Sequence, residues 1–334
     1  MKALSLLLAL LLLLGSLPAH ADEAMPQAVY MGKARAGLTV RADMHRDAPA
    51  LGGYRQGQAV YITAYAPEWL TVVIGDEEDF ATGYVLRHMV EDIQTLLPGA
   101  PPYGTVENAY VARVAEDTLL RAQPDAGAAV LCGLPAGSRV AIQSLENGWA
   151  KIPYWRQEGY VYVGALADLT PIYPAETALP GDVLSAFVTF YSEADDALNQ
   201  SRMGNIIACC GYINQTIPSG MRFDFDGIAA PYSRERGYGE AIAFYDGRTG
   251  TGMGGGVCQV SSTLYNALLP LGDGIDILMR RPHGPSGATY LPHGVDAAVG
   301  RDTLNLIFRN TYGFAVRIEA EARHGVVYTA LVRE

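Results

Sequence analysis

The chain has 334 residues, of which 49% are hydrophobic and 18% are charged, and its formal net charge at pH 7 is −11. This composition is typical of a folded protein, and the length allows two or three domains, each with its own core. The negative balance argues against a nucleic-acid partner, which would require a basic face. It also argues against binding to anionic lipid head groups by charge alone.

The N-terminal stretch MKALSLLLALLLLLGSLPAHADEA has the three parts of a secretory signal peptide. Lys2 provides the positive start, residues 3–14 form a short apolar run, and Ala19-His20-Ala21 fits the small-x-small cleavage rule. An uncleaved membrane anchor is the alternative, but this run is too short to span a bilayer comfortably. We therefore predict that residues 1–21 are removed, leaving a secreted, extracytoplasmic protein without a stable membrane span.

The next segment contains two copies of one pattern. The first copy has the landmarks Val40-Arg41, Gly57, Trp69 and Gly83-Tyr84-Val85, and the second has Leu120-Arg121, Gly137, Trp149 and Gly159-Tyr160-Val161. Between these landmarks, short runs alternate apolar and polar residues, which predicts half-buried strands broken by turns. We expect Trp69 and Trp149 to fill the cores of these units, because one buried Trp contributes much of a small core.

These landmarks resemble the bacterial SH3-like domain, and each copy has the size of a small barrel. The stretches LLPGAPPYG and LTPIYPAETALPGD are rich in Pro and Gly and predict linkers after each copy. The predicted segments are a signal peptide (1–21), an SH3-like domain (30–90), a linker (91–108), an SH3-like domain (109–168), a linker (169–182) and a larger C-terminal domain (183–334).

The C-terminal domain mixes helical and strand patterns. Ile206, Ile207, Cys210 and Ile213 recur at helical spacing, and a second helix is predicted from Cys258 to about Leu269. The tail alternates in the manner of strands. The predicted fold class is therefore multidomain, with two small all-β SH3-like barrels followed by an α+β domain.

Four cysteines, Cys132, Cys209, Cys210 and Cys258, are too few and too unevenly spaced for the disulfide framework of a small secreted domain. Cys209 and Cys210 are adjacent, which disfavours a bond between them, and we expect both in the core. Cys258 is then a free thiol outside the cytoplasm.

Cys258 follows Gly254, Gly255 and Gly256 and opens the second predicted helix. Unpaired N–H groups and the helix dipole at such a position would stabilise a thiolate. The glycines would let a substrate backbone approach, and their N–H groups could bind an oxyanion. A phosphate site is less favoured, because the loop has no Lys, Ser or Thr. A cysteine that only packs remains an equal alternative.

A thiol nucleophile usually requires a base, and His283 and His293 are the candidates in the segment that follows. Asp296 comes shortly after them and could orient an imidazole. Each histidine could equally occupy a surface loop. Arg280 could bind a substrate carboxylate, although a solvated charge is at least as common.

The stretch GGGVCQVSSTLYNALL closely resembles the signature of the VanW family, typically GGGICQVSTTLYNA. The resemblance extends over residues 198–310 and includes FDFDGIAAPYSRERGYGEA and the R-x-P-H and Y-x-P-x-G-x-D-A-x-V patterns. Ala230 and Gly284 depart from the family pattern, and the stretch from His283 to Tyr290 is one residue longer than usual. His293 falls at a variable position and ranks below His283 as the base.

Some VanW-domain proteins are L,D-transpeptidases of peptidoglycan, and the resemblance implies the same chemistry for this chain. Cys258 would form a thioester with a donor stem peptide, and an acceptor amine would resolve the thioester into a 3–3 cross-link. His283 would act as base and acid, with Asp296 as its orienter. Gly254, Gly255, Gly256, Gln259, Arg280 and Tyr238 are assigned to the substrate and the oxyanion. No metal or other cofactor is expected, and the predicted partners are peptidoglycan stem peptides.

Two alternatives stay open from the sequence. A papain-like peptidase of wall stem peptides would use the same Cys and His but pass the acyl group to water. A non-catalytic peptidoglycan-binding protein, associated with glycopeptide resistance, would need neither residue for chemistry.

Overall fold

The computed structural model describes residues 25–75, 80–245, 248–284, 287–300 and 303–334. The predicted signal peptide, residues 1–21, lies outside the described residues. Among the residues described, none of the helices combines the length and hydropathy that a bilayer crossing requires. The described chain is mostly β with few helices.

The first repeat forms one antiparallel sheet in the order β3-β2-β6-β5-β4-β1-β7. Its strands are β1 (Tyr30–Ala34), β2 (Leu38–Arg41), β3 (Ala50–Tyr54), β4 (Ala59–Tyr65), β5 (Trp69–Gly75), β6 (Phe80–Leu86) and β7 (Val90–Thr95). Strand β7 pairs with β1 and continues past the predicted domain boundary at residue 90.

The second repeat is divided between two sheets, in the orders β10-β9-β14-β13-β12 and β11-β8-β15. Its strands are β8 (Tyr110–Val114), β9 (Thr118–Arg121), β10 (Val130–Leu134), β11 (Arg139–Ile142), β12 (Ser144–Glu146), β13 (Trp149–Tyr154), β14 (Gln157–Tyr162) and β15 (Leu166–Pro171). The predicted linker at 169–182 therefore begins inside β15.

The C-terminal part has three sheets, in the orders β16-β24-β23-β17, β18-β22-β21 and β19-β20. Its elements are β16 (Val183–Phe190), α1 (Ala197–Ile213), β17 (Thr216–Ile217), β18 (Arg222–Asp224), α2 (Phe225–Ala229), β19 (Glu240–Tyr245), β20 (Arg248–Met253), α3 (Val257–Leu268), β21 (Ile275–Met279), β22 (Ile307–Asn310), β23 (Val316–Arg323) and β24 (Val326–Arg333).

The prediction of closed barrels is wrong for the described residues. In the first repeat β3 and β7 are edge strands that do not pair with each other, and the second repeat forms two separate sheets. The second repeat has another way to bury its apolar face, because β11 and β13 pack against β16 of the C-terminal part. A sheet covered in this way does not need to close on itself.

The prediction that Trp69 and Trp149 fill the two cores is also wrong. Both side chains are only half-buried. The core of the first repeat consists mainly of small aliphatic side chains such as Val40, Val60 and Leu70. Trp69 instead lines a surface cavity of about 280 Å³, and Trp149 packs edge-to-face against Tyr162 with 6.1 Å between ring centroids.

Strands β16 and β24 are buried on both faces, and this joins the second repeat to the C-terminal part. The side chains of β24 that the alternating pattern marks, Val326, Tyr328, Ala330 and Val332, share a core with the second repeat. Val327 and Leu331, on the other face, pack with the helices. Alternation in this strand therefore separates two cores rather than core from solvent.

Helix α1 confirms the helical pattern predicted around residues 206–213, with one change of face. Ile206, Cys210 and Ile213 are buried as expected, but Ile207 is 52% exposed and Cys209 takes its place in the core. Positions three and four residues apart share a helix face, whereas adjacent positions point about 100° apart. The core positions of Cys209 and Cys210 are confirmed, and all four cysteines are free thiols in the structure.

Candidate active site

Helix α3 begins directly after the glycine loop and places Cys258 in its first turn. Gly256 is the N-cap residue with a φ of 107°, a left-handed conformation that favours glycine. Cys258 is the second helical residue, and its side chain is half-buried. Its backbone N–H lies in the first turn, where no carbonyl of the helix is available to accept it.

The glycines of the loop have no room for a side chain, because other parts of the protein pack closely against them. A Cβ atom on Gly255 would lie 2.5 Å from the carbonyl oxygen of Ile242, and one on Gly254 would lie 2.8 Å from Cβ of Tyr232. The N–H of Gly254 donates to the carbonyl of Gly239. The expected approach of a substrate backbone to these glycines is therefore corrected for Gly254 and Gly255, which are covered by neighbouring elements.

His283 and Asp296 form a close pair. Nδ1 of His283 lies 2.5 Å from Oδ2 of Asp296, and the same oxygen accepts the backbone N–H of His283 at 2.7 Å. Burial tends to raise the pKa of Asp296, but these two hydrogen bonds, the His283 charge and Arg280 outweigh burial and lower it. The carboxylate therefore stays ionised and orients the imidazole.

His283 also reaches the cysteine. Its imidazole interacts with the thiol of Cys258, and because Nδ1 faces Asp296, Nε2 is the ring nitrogen left for the sulfur. Burial alone lowers the pKa of His283, but its contacts with Asp296 and Cys258 raise it from 6.5 to about 10. The imidazole is therefore protonated at neutral pH and lies beside the sulfur.

A polar face of α3 holds the loop that carries Asp296. Oγ of Ser261 donates to the carbonyl of Ala297 at 2.6 Å, and the N–H of Ala297 donates to Oγ of Ser262 at 2.9 Å. Both serines are fully buried. The polar residues that follow the cysteine in the sequence thus fix the residue next to Asp296 against the same helix that carries Cys258.

Arg280 lies inside this arrangement and is occupied by main-chain groups. Its Nε donates to the carbonyl of Asp296 and its Nη2 to the carbonyl of Gly294, both at 2.7 Å. The guanidinium also lies 3.7 Å from Oδ1 of Asp296 and over the ring of Tyr265. The expected role in binding a substrate carboxylate is therefore corrected: Arg280 supports the carboxylate of the protein.

The assignments of Gln259 and Tyr238 to the substrate are also corrected. Gln259 is 1% exposed, and its amide accepts from Arg202 and donates to the hydroxyl of Thr189. Tyr238 is 2% exposed, and its hydroxyl donates to the carbonyl of Ala229. Both side chains satisfy polar groups inside the core and face no open space.

His293 lies away from the cysteine, against the first repeat. Its Nε2 is 3.9 Å from a carboxylate oxygen of Glu68, and its ring packs beside His88 with 5.3 Å between centroids. Burial, together with Arg156 and other nearby cations, lowers the pKa of His293 to about 3. The structure thus brings His283, and not His293, to the sulfur.

Two parts of the chain match known protein families. Residues 201–332 match the family described as VanW like protein, and residues 117–167 match the bacterial SH3 domain. We refer to residues 201–332 as the VanW-like domain. The resemblance predicted from the cysteine motif is thereby confirmed, and part of the second repeat matches the bacterial SH3 domain.

A curated relative extends the match. The chain is 32% identical over 149 residues to the uncharacterized protein YoaR of Bacillus subtilis strain 168. The aligned part covers 44% of this chain and 47% of YoaR, so the chain spans about half the length of this relative.

Solved structures with detectable likeness are distant. An NlpC/P60 family protein from Bacillus cereus is 10% identical with a TM-score of 0.17, over 42% of this chain and 56% of its own. NlpC1 from Trichomonas vaginalis is 13% identical with a TM-score of 0.17, over 96% of this chain and 98% of its own. At these scores the likeness carries no inference about the fold or chemistry of the VanW-like domain.

Two groups at the VanW-like site were not identified from the sequence. The hydroxyl of Tyr290 donates to the carbonyl of Cys258 at 3.1 Å, and the main chain of Val299 lies 3.5 Å from the sulfur through both N and O. Tyr290 belongs to the Y-x-P motif, so the sequence marks its position but not its contact. The contact of Val299 is made by its main chain, so the type of its side chain gives no indication of it. Within the described ranges, no group of three or more His, Cys, Asp or Glu residues is arranged to hold a metal ion.

Proposed function

We propose that the protein is a secreted, cell-wall-associated acyltransferase whose VanW-like domain cross-links peptidoglycan as an L,D-transpeptidase. The observation that carries the proposal is the single imidazole of His283, which hydrogen-bonds to Asp296 through Nδ1 and lies beside Cys258. A nucleophile, a base and an orienting carboxylate in this order are the parts that acyl transfer requires.

In the first half-reaction, the thiolate of Cys258 attacks the carbonyl carbon of the third residue of a donor tetrapeptide. The C–N bond to the terminal D-alanine breaks, and Nε2 of the His283 imidazolium gives its proton to the leaving amine. The product is a thioester on Cys258 with a neutral His283.

In the second half-reaction, the side-chain amine of an acceptor stem attacks the thioester. His283 removes a proton from that amine, the new C–N bond forms, and the sulfur leaves as a thiolate. The tetrahedral oxyanion of both steps requires backbone donors near the sulfur. The N–H of Cys258 suits this role by its place in the first helical turn, whereas that of Gly254 is already donated to Gly239.

The architecture proposed with this activity is two SH3-like units followed by the α+β domain. The bacterial SH3 domain supports attachment to peptidoglycan, and the predicted signal peptide supports export. Together they would bring the cysteine to stem peptides in the wall.

Hydrolysis of stem peptides is the second candidate, because the same three side chains serve if water replaces the acceptor amine. Asp296 is fully buried and Cys258 is half-buried, and this arrangement suits either water or an amine as the acceptor. The two reactions share the thioester and differ only in what resolves it.

Mass spectrometry of the intact protein after exposure to tetrapeptide muropeptides tests the shared step. We expect an adduct with the mass of a tripeptide thioester, absent in Cys258→Ala and present in Cys132→Ala, which removes a half-buried thiol from the second repeat. New muropeptide dimers would then identify transfer, and shortened stems alone would identify hydrolysis. Wall binding with no adduct would leave the protein as a non-catalytic binder.

A further inference from the structure

The sulfur of Cys258 has a second neighbour besides His283, the main chain of the segment 297–300. The N–H of Val299 points to Sγ, and Sγ points to the carbonyl of Val299, each at 3.5 Å. An N–H donor stabilises negative charge on sulfur, whereas a carbonyl accepts the proton of the neutral thiol. Once the thiol has lost its proton, the N–H of Val299 is the favourable contact.

Asp226, which the proposed chemistry does not use, fixes this segment. Its Oδ2 accepts the N–H of Gly300, the residue after Val299, at 2.9 Å. Its Oδ1 accepts the hydroxyl of Tyr232 at 2.5 Å. One carboxylate thus connects the main chain beside the sulfur to an aromatic side chain.

The ring of Tyr232 lies between the two backbone segments that border Cys258. A Cβ atom on Gly300 would lie 3.5 Å from the ring, and one on Gly254 would lie 2.8 Å from Tyr232 Cβ. Both glycines have a positive φ, 108° and 76°. Tyr232 therefore sets the separation between the glycine loop and the segment 297–300.

We propose that Asp226 and Tyr232 are positioning residues that hold the N–H of Val299 against Cys258 and so stabilise its thiolate. On the other side of the same segment, Ser261 and Ser262 hold Ala297. The Val299 peptide is thus fixed from both ends, and its N–H needs no rearrangement when charge develops on the sulfur. This inference deepens the proposed function and concerns the same thiolate.

Several groups that titrate or carry charge face the sulfur or lie close to it. His283 and Tyr290 lie in the loop between β21 and β22. Tyr232 lies in the segment after α2, and Cys209 lies in α1. Asp226 lies behind Tyr232, and burial raises the pKa of its carboxyl. In the ionised form its charge alone would disfavour a thiolate. The positioning effect and the charge effect of Asp226 therefore act in opposite directions, which makes them separable.

The test is the rate of alkylation of Cys258 by iodoacetamide in the full-length Cys132→Ala protein, measured from pH 5 to 10. Tyr232→Phe removes the hydroxyl and keeps the charge of Asp226, and Asp226→Asn removes the charge. Asp276→Asn is the matched control, because Asp276 lies at an exposed position of β21. Thermal melts of each variant would establish whether it is folded.

We expect Tyr232→Phe and Asp226→Asn to slow alkylation at pH 7 by about three- to tenfold, which corresponds to the loss of one ordinary hydrogen bond. The midpoint of the pH profile should move upward in both, and Asp276→Asn should keep the original midpoint. An unchanged midpoint in Tyr232→Phe, or faster alkylation in Asp226→Asn, overturns the proposal. Alkylation uses no wall substrate, so a failure of peptidoglycan transfer would count against the proposed function and not against this inference.

Discussion

Oδ2 of Asp296 accepts both the ring Nδ1–H and the backbone N–H of His283, at 2.5 and 2.7 Å. One oxygen therefore fixes the direction of the imidazole and the position of its main chain together. With Nδ1 engaged in this way, Nε2 is presented to Cys258 in a single orientation, as general acid–base chemistry requires.

Replacing Asp296 by Asn should abolish most of the proposed acyl transfer while the protein stays folded. An amide can present its N–H group to Nδ1, which selects the wrong tautomer and removes the charge that stabilises the imidazolium. We expect formation of the thioester adduct to slow by up to about 10⁴-fold, the loss seen when a triad carboxylate becomes an amide. Asp276→Asn, at an exposed position of β21, should react at the original rate. Equal rates in both variants would remove Asp296 from the mechanism.

The charge of His283 should contribute to stability in a pH-dependent manner. Its contacts raise the pKa of His283 from 6.5 to about 10 in the folded protein. The contribution is therefore complete below pH 6.5 and is lost as the pH rises through 10. The free energy of unfolding in urea should differ between the original protein and His283→Gln at pH 6, and this difference should shrink between pH 8 and 11. A constant difference would show that the pKa of His283 is the same in the folded and the unfolded protein.

Gly255→Ala should destabilise the protein, because its Cβ would meet backbone atoms of Ala241 and Ile242 at 2.5–2.8 Å. Backbone of a paired strand cannot move aside easily, so we expect a loss of about 1–3 kcal/mol. Gly211→Ala in α1 is the control, since a Cβ there meets nothing within 4 Å. That change should stabilise the helix by about 0.5–1 kcal/mol. Urea unfolding of the two variants gives both values, and a neutral Gly255→Ala would contradict the packing described here.

Acid should destabilise the folded protein through His293, which packs against the first repeat. Burial and neighbouring cations lower the pKa of His293 to about 3, so the folded state keeps this imidazole neutral while the unfolded chain binds a proton below pH 6.5. Stability is then lost as the pH falls from 6.5 towards 3, at no more than about 1.4 kcal/mol per pH unit for this one group.

His293→Gln should therefore make the decline of unfolding free energy between pH 7 and 4 shallower. His45→Gln, at an exposed position, should leave the original slope. A slope that is identical in all three proteins would show that the folded protein does not hold His293 in its neutral form.

Much of the candidate site could be predicted because cysteine, histidine and aspartate side chains have few common functions together. A cysteine at a helix start, a histidine and a following aspartate suggest a nucleophile, a base and its orienter, and the structure places His283 in contact with Asp296 and beside Cys258. The start of α3 was similarly clear, since a glycine run followed by helical spacing has few other interpretations.

The assignments that proved wrong concern residues whose type does not indicate the direction or the surroundings of the side chain. Gln259 lies beside Cys258 in the chain, but the next residue of a helix points about 100° away, which takes Gln259 into the core. A glycine shows only that a side chain is missing, and at Gly255 the space belongs to β19 and not to a ligand. Closed barrels were expected because the partner that covers the second repeat, β16 with β24, comes later in the chain.

The doubly buried strands also determine which fragments of this protein can exist alone. The region that matches the VanW family starts at residue 201, after β16, yet β16 pairs along the length of β24. A polypeptide trimmed at that boundary would expose the flank of β24 and a row of apolar side chains to water, and would aggregate. Expression of the VanW-like domain should begin no later than β8 at Tyr110, so that the second repeat and the C-terminal part are produced together.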